Sequence, residues 1–230
     1  MQYPTSSLIV DIVIVAHNQA GELAILLAEL PRRQLRSVIV VDNGSSDSSA
    51  AVARDAGAVV LREPRVGRGS ACLRAIGHLA ALPTPPEAVV FMSADGSDLP
   101  ADLPAILAPI CDDNAELVLG LRSGSRPRMR LVTRLLGAVY RHRLDDIGPF
   151  RAIRFPALIA LSLTDGAGGF DVEMVVKAIK LGLRIVEVPV HHDGTPRSRL
   201  ANNLRGKELA HSLGATGRAL FHIVRHSTSR

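Results

Sequence analysis

The chain is 230 residues long, 47% hydrophobic and 21% charged, with a net charge of +5. That supports one sizeable core and is too short for two ordinary domains with linkers. A disordered chain is excluded, and the two cysteines, Cys72 and Cys111, lack metal-ligand spacing and read as buried small apolar residues in a reducing compartment, with a single disulfide as the alternative. No apolar segment approaches the length of a bilayer. The start, MQYPTSSLIVDIVIVAHN, has no charged n-region and runs straight into a strand, so a signal peptide is not expected and the expected location is cytoplasmic. Basic residues concentrate in Arg122–Arg143 and Arg184–Arg230. Stacking aromatics and base-reading motifs are missing, so nucleic acid is not an expected partner. An anionic small molecule or an acidic membrane surface fits the asymmetry, the second implying a peripheral contact at the inner face of the membrane.

Leu8–Ala16, LIVDIVIVA, is nearly all apolar, the pattern of a parallel strand covered on both faces. A helix follows, with Leu23, Leu26, Leu27 and Leu30 at helical spacing before Pro31. Arg36–Val41 is the second strand. Ser46 or Asp47 is placed to cap a helix over Ser48–Ala56, closed by Gly57. Ala58–Leu61 reads as a short strand, Gly67–Ala81 as a helix, and Pro83, Pro85 and Pro86 as a linker into the strand Val89–Met92. A helix to about Cys111 and a strand over Glu116–Gly120 come next. The second half is less regular: a basic helix over Leu131–Arg143, a loop and strand over Asp145–Ile153, and an amphipathic helix over Phe170–Leu181. Leu183–Val190 is a strand whose Pro189 suggests a sheet edge. From Asn203 a basic helix weakened by Gly214 and Gly217 is expected. The alternation predicts an α/β fold, a three-layer sandwich with a mostly parallel sheet.

Three strands end in polar segments: Ala16–Gln19, Asp42–Asp47 and Asp95–Asp98. At one edge of one sheet they would form a pocket, where open α/β sheets bind ligands. Asp95, with Ser93, Ser97 or Asp98, offers the hard oxygens that Mg²⁺ or Mn²⁺ prefers when bridging phosphates. Asp42 is placed to accept hydrogen bonds from a base or ribose. Gly67-Arg68-Gly69 is neither a dinucleotide fingerprint nor a P-loop. His191 and His192 lack a third ligand nearby and read as surface residues. Gly166–Gly169 reads from composition as a lid.

The ordered pieces IVAHNQAGEL (Ile14–Leu23), VDNGSSD (Val41–Asp47), Gly67–Ala71, SADGSDLP (Ser93–Pro100), Gly120–Arg122, DIGPFRAIR (Asp146–Arg154), FDVEM (Phe170–Met174), EVPV (Glu187–Val190) and PRSR (Pro196–Arg199) together resemble the family 2 glycosyltransferases of GT-A fold. The resemblance spans the chain to about Gly206, making 1–206 the catalytic domain and 207–230 a basic helical tail. DIGPFRAIR and EVPV look most like the polyprenyl-phosphate branch, the relatives of dolichol-phosphate mannose synthase. The resemblance implies a nucleotide-sugar pocket lined by Ala16, Asn18 and Asp42, with Arg68 near it and Arg122 contributing. It implies Ala94 and Asp95 at the diphosphate, and a divalent Mg²⁺ or Mn²⁺ at Asp95 with Ser97. Asp146 matches the candidate general base, with Asp145 one position away. Arg197 and Arg199 match a phosphate clamp. Implied partners are a UDP- or GDP-linked sugar donor and an acceptor, a polyprenyl phosphate or a soluble one; inversion is implied at the anomeric carbon.

Two positions depart from the family pattern. Ser93 stands where the metal motif usually begins with Asp, and Gln19 where the first loop usually ends in an acid. A hydroxyl is a weaker, neutral ligand; either Asp98 compensates or metal affinity falls. The departures keep open a nucleotide-sugar-binding homologue without turnover.

Overall fold

The computed structural model describes residues 8–122, 127–191 and 221, excepting the side chains of 127–130. Seven strands, β1 (Val10–Ala16), β2 (Ser37–Asp42), β3 (Val59–Arg62), β4 (Ala88–Ser93), β5 (Leu117–Arg122), β6 (Arg151–Arg154) and β7 (Ile185–Val190), form one sheet in the order β3-β2-β1-β4-β6-β5-β7. The helices are α1 (Ala20–Glu29), α2 (Ser49–Asp55), α3 (Arg68–Ala80), α4 (Leu103–Cys111), α5 (Pro127–Tyr140), α6 (Phe155–Ala160) and α7 (Phe170–Lys180).

Period-2 alternation in strands apolar on both faces produces two cores. Ile12, Ile14, Val90 and Met92 point toward α1, α2 and α4, while Val13, Val89 and Phe91 point toward α3, α5, α6 and α7. The expected three-layer sandwich is therefore present. Phe91 meets Phe170 of α7 edge-on at 6.1 Å, which fixes that helix against the centre of the sheet.

The sheet is parallel except at β6, which runs antiparallel to both β4 and β5. This reversal positions the site. A strand running backwards begins at the edge where its neighbours end, so the residues before β6 lie beside the carboxyl ends of β4 and β5. The short helix α6 has no counterpart among the expected elements, because six residues show no helical period. Pro156 lies in its first turn, a favourable proline position. Helix α5 starts at Pro127, four residues before the expected Leu131, and ends at Tyr140. Strand β3 is displaced by one residue. The expected tail over 207–230 lies outside the described residues apart from Phe221.

The start of α3 is sealed by the segment between α6 and α7. Gly69 and Ser70 donate their backbone N–H groups to the carbonyls of Ala167 and Gly166, at 3.3 and 2.7 Å. The segment is itself held from α7: Glu173 accepts the N–H groups of Thr164 and Asp165 and pairs with Lys177 at 2.8 Å. The Gly166–Gly169 stretch is thus a plug on a helix end, not the lid its composition suggested.

A Cβ on Gly69 would lie 2.2 Å from the Asp165 carbonyl oxygen and 2.6 Å from the Gly166 carbonyl carbon, both backbone atoms. Gly69→Ala is therefore expected to destabilise the fold by about 3 kcal/mol, read as the urea midpoint. Gly77, on the exposed side of the same helix with nothing within 4 Å, is the control. Gly77→Ala is expected to stabilise by about 0.5–1 kcal/mol.

Candidate functional site

Between β1 and β4 the strand order reverses direction, and the crevice at their carboxyl ends receives three loops. Ala16 and Ala94 form its floor, both fully buried; Asn43 donates its N–H to the Ala16 carbonyl at 2.9 Å, and Ala94 to Val15 at 3.3 Å. Asp42 is buried and accepts the Ser45 N–H through Oδ1 at 2.9 Å.

Asn18 adopts a left-handed backbone, φ 53°. Its Oδ1 accepts the N–H groups of Ser46 and Asp47 at 2.7 and 3.4 Å, and its own N–H reaches Ser45 Oγ at 3.1 Å. Asn18 thus stitches the first loop to the second. Asp47 bridges the two helix starts, accepting from Ser49 N–H at 3.0 Å and Ala20 N–H at 3.1 Å. Asp47 therefore does the capping; Ser46 is tied to Asn18.

The loop after β4 is built on an Asx turn. Asp95 Oδ1 accepts both Ser97 N–H at 3.0 Å and Ser97 Oγ–H at 2.6 Å, with Gly96 at φ 74°. The Ser97 hydroxyl therefore supports the carboxylate. Asp98 is buried and turned back, accepting the Ser93 N–H at 2.9 Å. It closes the turn from beneath. Among the described residues no three His, Cys, Asp or Glu side chains cluster. The donors present are one carboxylate and neighbouring hydroxyls, which fits an ion of the Mg²⁺ or Mn²⁺ type that takes its remaining oxygens from phosphates and water.

The second wall is the loop before β6. Asp146, fully buried, is clasped by Arg122 at the end of β5: Nε to Oδ2 at 2.7 Å and Nη2 to Oδ1 at 3.2 Å. Gly148 makes room, because a Cβ there would lie 3.0–3.3 Å from that guanidinium. Glu187 of β7 accepts the N–H groups of Asp145 and Asp146 at 2.9 Å each. Burial, and then the neighbouring aspartates, push its carboxyl up, while those N–H bonds hold it down. Arg151 and Arg68 hold the other end of the loop through the carbonyls of Gly148 and Pro149. Both guanidiniums also face Asp171, Arg151 at 3.0 Å and Arg68 at 3.4 Å, so two cations share one carboxylate under the loop.

The sequence-marked residues thus fall into two groups at one edge: Ala16, Asn18, Asp42, Ala94, Asp95 and Ser97 on the β1–β2–β4 side, Arg68, Arg122 and Asp146 on the β5–β6 side. Of the adjacent acids, Asp146 is buried at the pair and Asp145 is exposed. Arg197 and Arg199 lie outside the described residues, as does His192. His191 is 83% exposed and bonded through Nδ1 to Asp102 at 2.7 Å, a surface role. Sequence reasoning gave no role to Asn43, Glu187, Arg151 or Asp171. Asn43 ties the second loop to the segment before α3, donating to the Glu63 and Arg65 carbonyls and accepting the Gly67 N–H. The signal for Arg151 is a charge at the head of a strand whose next two residues are apolar.

The family sequence model described as Glycosyl transferase family 2 matches residues 11–162. An uncharacterized glycosyltransferase of Mycobacterium tuberculosis (strain ATCC 25618 / H37Rv) is 35% identical over 215 residues, 87% of this chain and 94% of its own length. An undecaprenyl-phosphate mannosyltransferase of Micrococcus luteus is 32% identical over 200 residues, covering 77% and 81%. Among solved structures, glucosyl-3-phosphoglycerate synthase from Mycobacterium tuberculosis in complex with phosphoglyceric acid superposes with a TM-score of 0.75 at 21% identity, covering 94% of this chain and 80% of that one. The same enzyme with Mn²⁺, UDP-glucose and phosphoglyceric acid superposes at 0.68 and 21% identity, covering 92% and 80%.

Two predictions come from the geometry. Removing the Glu187 carboxylate in Glu187→Ala is expected to speed hydrogen exchange at the Asp145 and Asp146 amides by about tenfold or more, with Glu187→Gln retaining most protection. Burial, with repulsion from Asp95, pushes the Asp98 carboxyl from 3.8 up to about 6. Between those values the folded chain keeps a proton that the unfolded chain has released, so stability falls as pH rises through that window. Asp98→Asn is expected to be more stable than the parent by about 1–2 kcal/mol at pH 7.5 and no more stable at pH 4, by urea unfolding.

Proposed function

Because this chain belongs to glycosyl transferase family 2, we propose that it moves a sugar from a nucleoside diphosphate onto a lipid-linked phosphate, with a divalent metal and inversion. The observation that carries the reading is the antiparallel strand β6, which brings the Arg122–Asp146 pair to the edge that holds Asp95. The nucleoside binds over Ala16 and Asp42, and the diphosphate lies along Ala94 and Asp95. A divalent ion held at Asp95, with Ser97 supporting that carboxylate, supplies charge neutralisation at the leaving diphosphate. UDP is favoured over GDP, since the structural neighbour binds UDP-glucose with Mn²⁺.

The acceptor sits against the loop before β6. Arg122 and the cations beneath the loop supply positive potential there, with Arg197 and Arg199 proposed to close on phosphates from the chain beyond β7. With a hydroxyl acceptor Asp146 takes the proton, which requires that Arg122 release at least one of its oxygens. With a phosphate acceptor little base strength is needed, and the pair serves to orient. The Micrococcus luteus relative supports the lipid phosphate. A soluble phosphorylated acid is the second reading, favoured by the phosphoglyceric acid bound to the structural neighbour.

The test is thermal unfolding with UDP, GDP and their sugars, in Mn²⁺, Mg²⁺ or EDTA. At a hundredfold excess over Kd, the preferred nucleotide is expected to raise Tm by about 5–10 °C with metal and much less in EDTA. Asp95→Asn is expected to lose the metal-dependent part. Asp146→Asn is expected to keep the shift while losing at least about a hundredfold in transfer, because Arg122 then lacks the carboxylate that fixes it for orienting the acceptor. A shift without transfer to any phosphate acceptor would instead support a binding homologue without turnover.

A further inference from the structure

An aliphatic side chain stands in water beside the loop that carries Asp42. Val66, 60% exposed, is the most exposed large hydrophobic among the described residues. It lies in residues 63–67, which join β3 to α3. Its Cγ2 is 3.7 Å from where a Cβ on Gly44 would stand, and Gly44 is two residues beyond Asp42.

A single exposed valine is ordinary. The bracing around this one is not. Glu63, itself buried, accepts the Arg65 N–H at 3.0 Å and ties the Arg65 guanidinium through Nε at 2.9 Å. The Arg65 carbonyl accepts from Asn43 Nδ2 at 2.8 Å and from Ser70 Oγ at 2.6 Å. On the other side of Val66, the Gly67 N–H reaches Asn43 Oδ1 at 2.8 Å. Two buried polar side chains therefore fix the backbone immediately before and after a residue that contributes nothing to the core. Ordering a loop in this way costs conformational entropy. Presenting an apolar group from a rigid loop repays that cost when a ligand covers the group.

The composition of the crevice indicates which ligand needs it. The loop segments 16–19, 42–49, 63–69 and 93–98 contain no Phe, Tyr or Trp, and Val66 is their one Val, Leu, Ile or Met. A nucleobase has polar edges and apolar faces. Asp42 offers an acceptor to an N–H edge, whereas the floor at Ala16 and Ala94 is too small to cover a ring. A protein partner would need a far wider apolar surface than one valine between the exposed Pro64 and Arg65.

We propose that Val66 is the apolar contact for the face of the donor's nucleobase, packing on the ring while Asp42 holds its edge. This rests on the donor reading given above. Val66 is a nucleoside-binding residue, and it acts on the affinity for the base and not on the transfer step.

The test is calorimetric titration of the full chain in Mn²⁺ with UDP and GDP, continued with whichever the parent binds. Val66→Ser is expected to raise Kd about tenfold and to make the heat-capacity change of binding less negative, the mark of lost apolar burial. Val66→Ile is expected to stay within about twofold of the parent. Because the side chain is exposed, urea midpoints of both variants should match the parent and report an intact fold. A serine variant that binds as the parent does would overturn the contact alone. So would a loss that isoleucine shares or that leaves the heat capacity unchanged, since either would place the effect in the loop. A parent that binds neither nucleotide would overturn the donor reading and this contact with it.

Discussion

A guanidinium buried in the middle of the sheet governs the arrangement of this protein's second half. Arg151 is fully buried, in register with Phe91 of β4 and Leu119 of β5. Burial depresses its pKa, and Asp171 opposes that. A charge so placed must be paired and hydrogen-bonded or it is prohibitively costly. Its partners are Asp171, through carboxylate and backbone carbonyl, and the Gly148 carbonyl. Satisfying one cation therefore joins sheet, α7 and the loop before β6. Arg68 repeats the connection from α3. The loop before β6 is held from four sides by charged groups attached to rigid elements, which is how a loop acquires the precision of a strand.

The same interactions explain which parts were legible in the sequence. The β1–α1–β2–α2 alternation could be read because each strand is a continuous apolar run and each helix shows its period. The direction of β6 could not be read. Four residues carry no signal of parallel or antiparallel pairing, and what sets it is the non-local pairing of Arg151 and its neighbours with β4 and β5. At the site, residue types and strand ends were legible, but side-chain engagement was not. Asn18 and Asp98 look alike in sequence as polar residues in ligand-binding loops. In the structure both bond backbone N–H groups, and they shape the loops. Glu187, which in sequence stands out only as part of EVPV, holds the backbone on which Asp146 sits.

Ser93 acquires a different weight from this geometry. Its backbone N–H anchors Asp98, and its neighbour Ala94 continues the strand by bonding to β1. The carboxylate that stands clear of the strand end is Asp95, braced by Ser97. A metal here would depend more on substrate phosphates for its ligands than it would in a two-carboxylate site. Binding of donor and ion would then be mutually reinforcing, each weak without the other.

The sealed start of α3 has a consequence for how negative charge is handled. A helix N-terminus with free N–H groups is a ready anion site, and its partial charge needs no counter-ion. Here Ala167 and Gly166 occupy those donors. Helix α3 instead brings positive charge to the crevice through the Arg68 side chain, and side-chain charge responds to ionic strength far more than a fixed backbone dipole does. Substrate capture at this crevice should thus weaken with added salt, tying the protein's working range to the ionic composition of its surroundings.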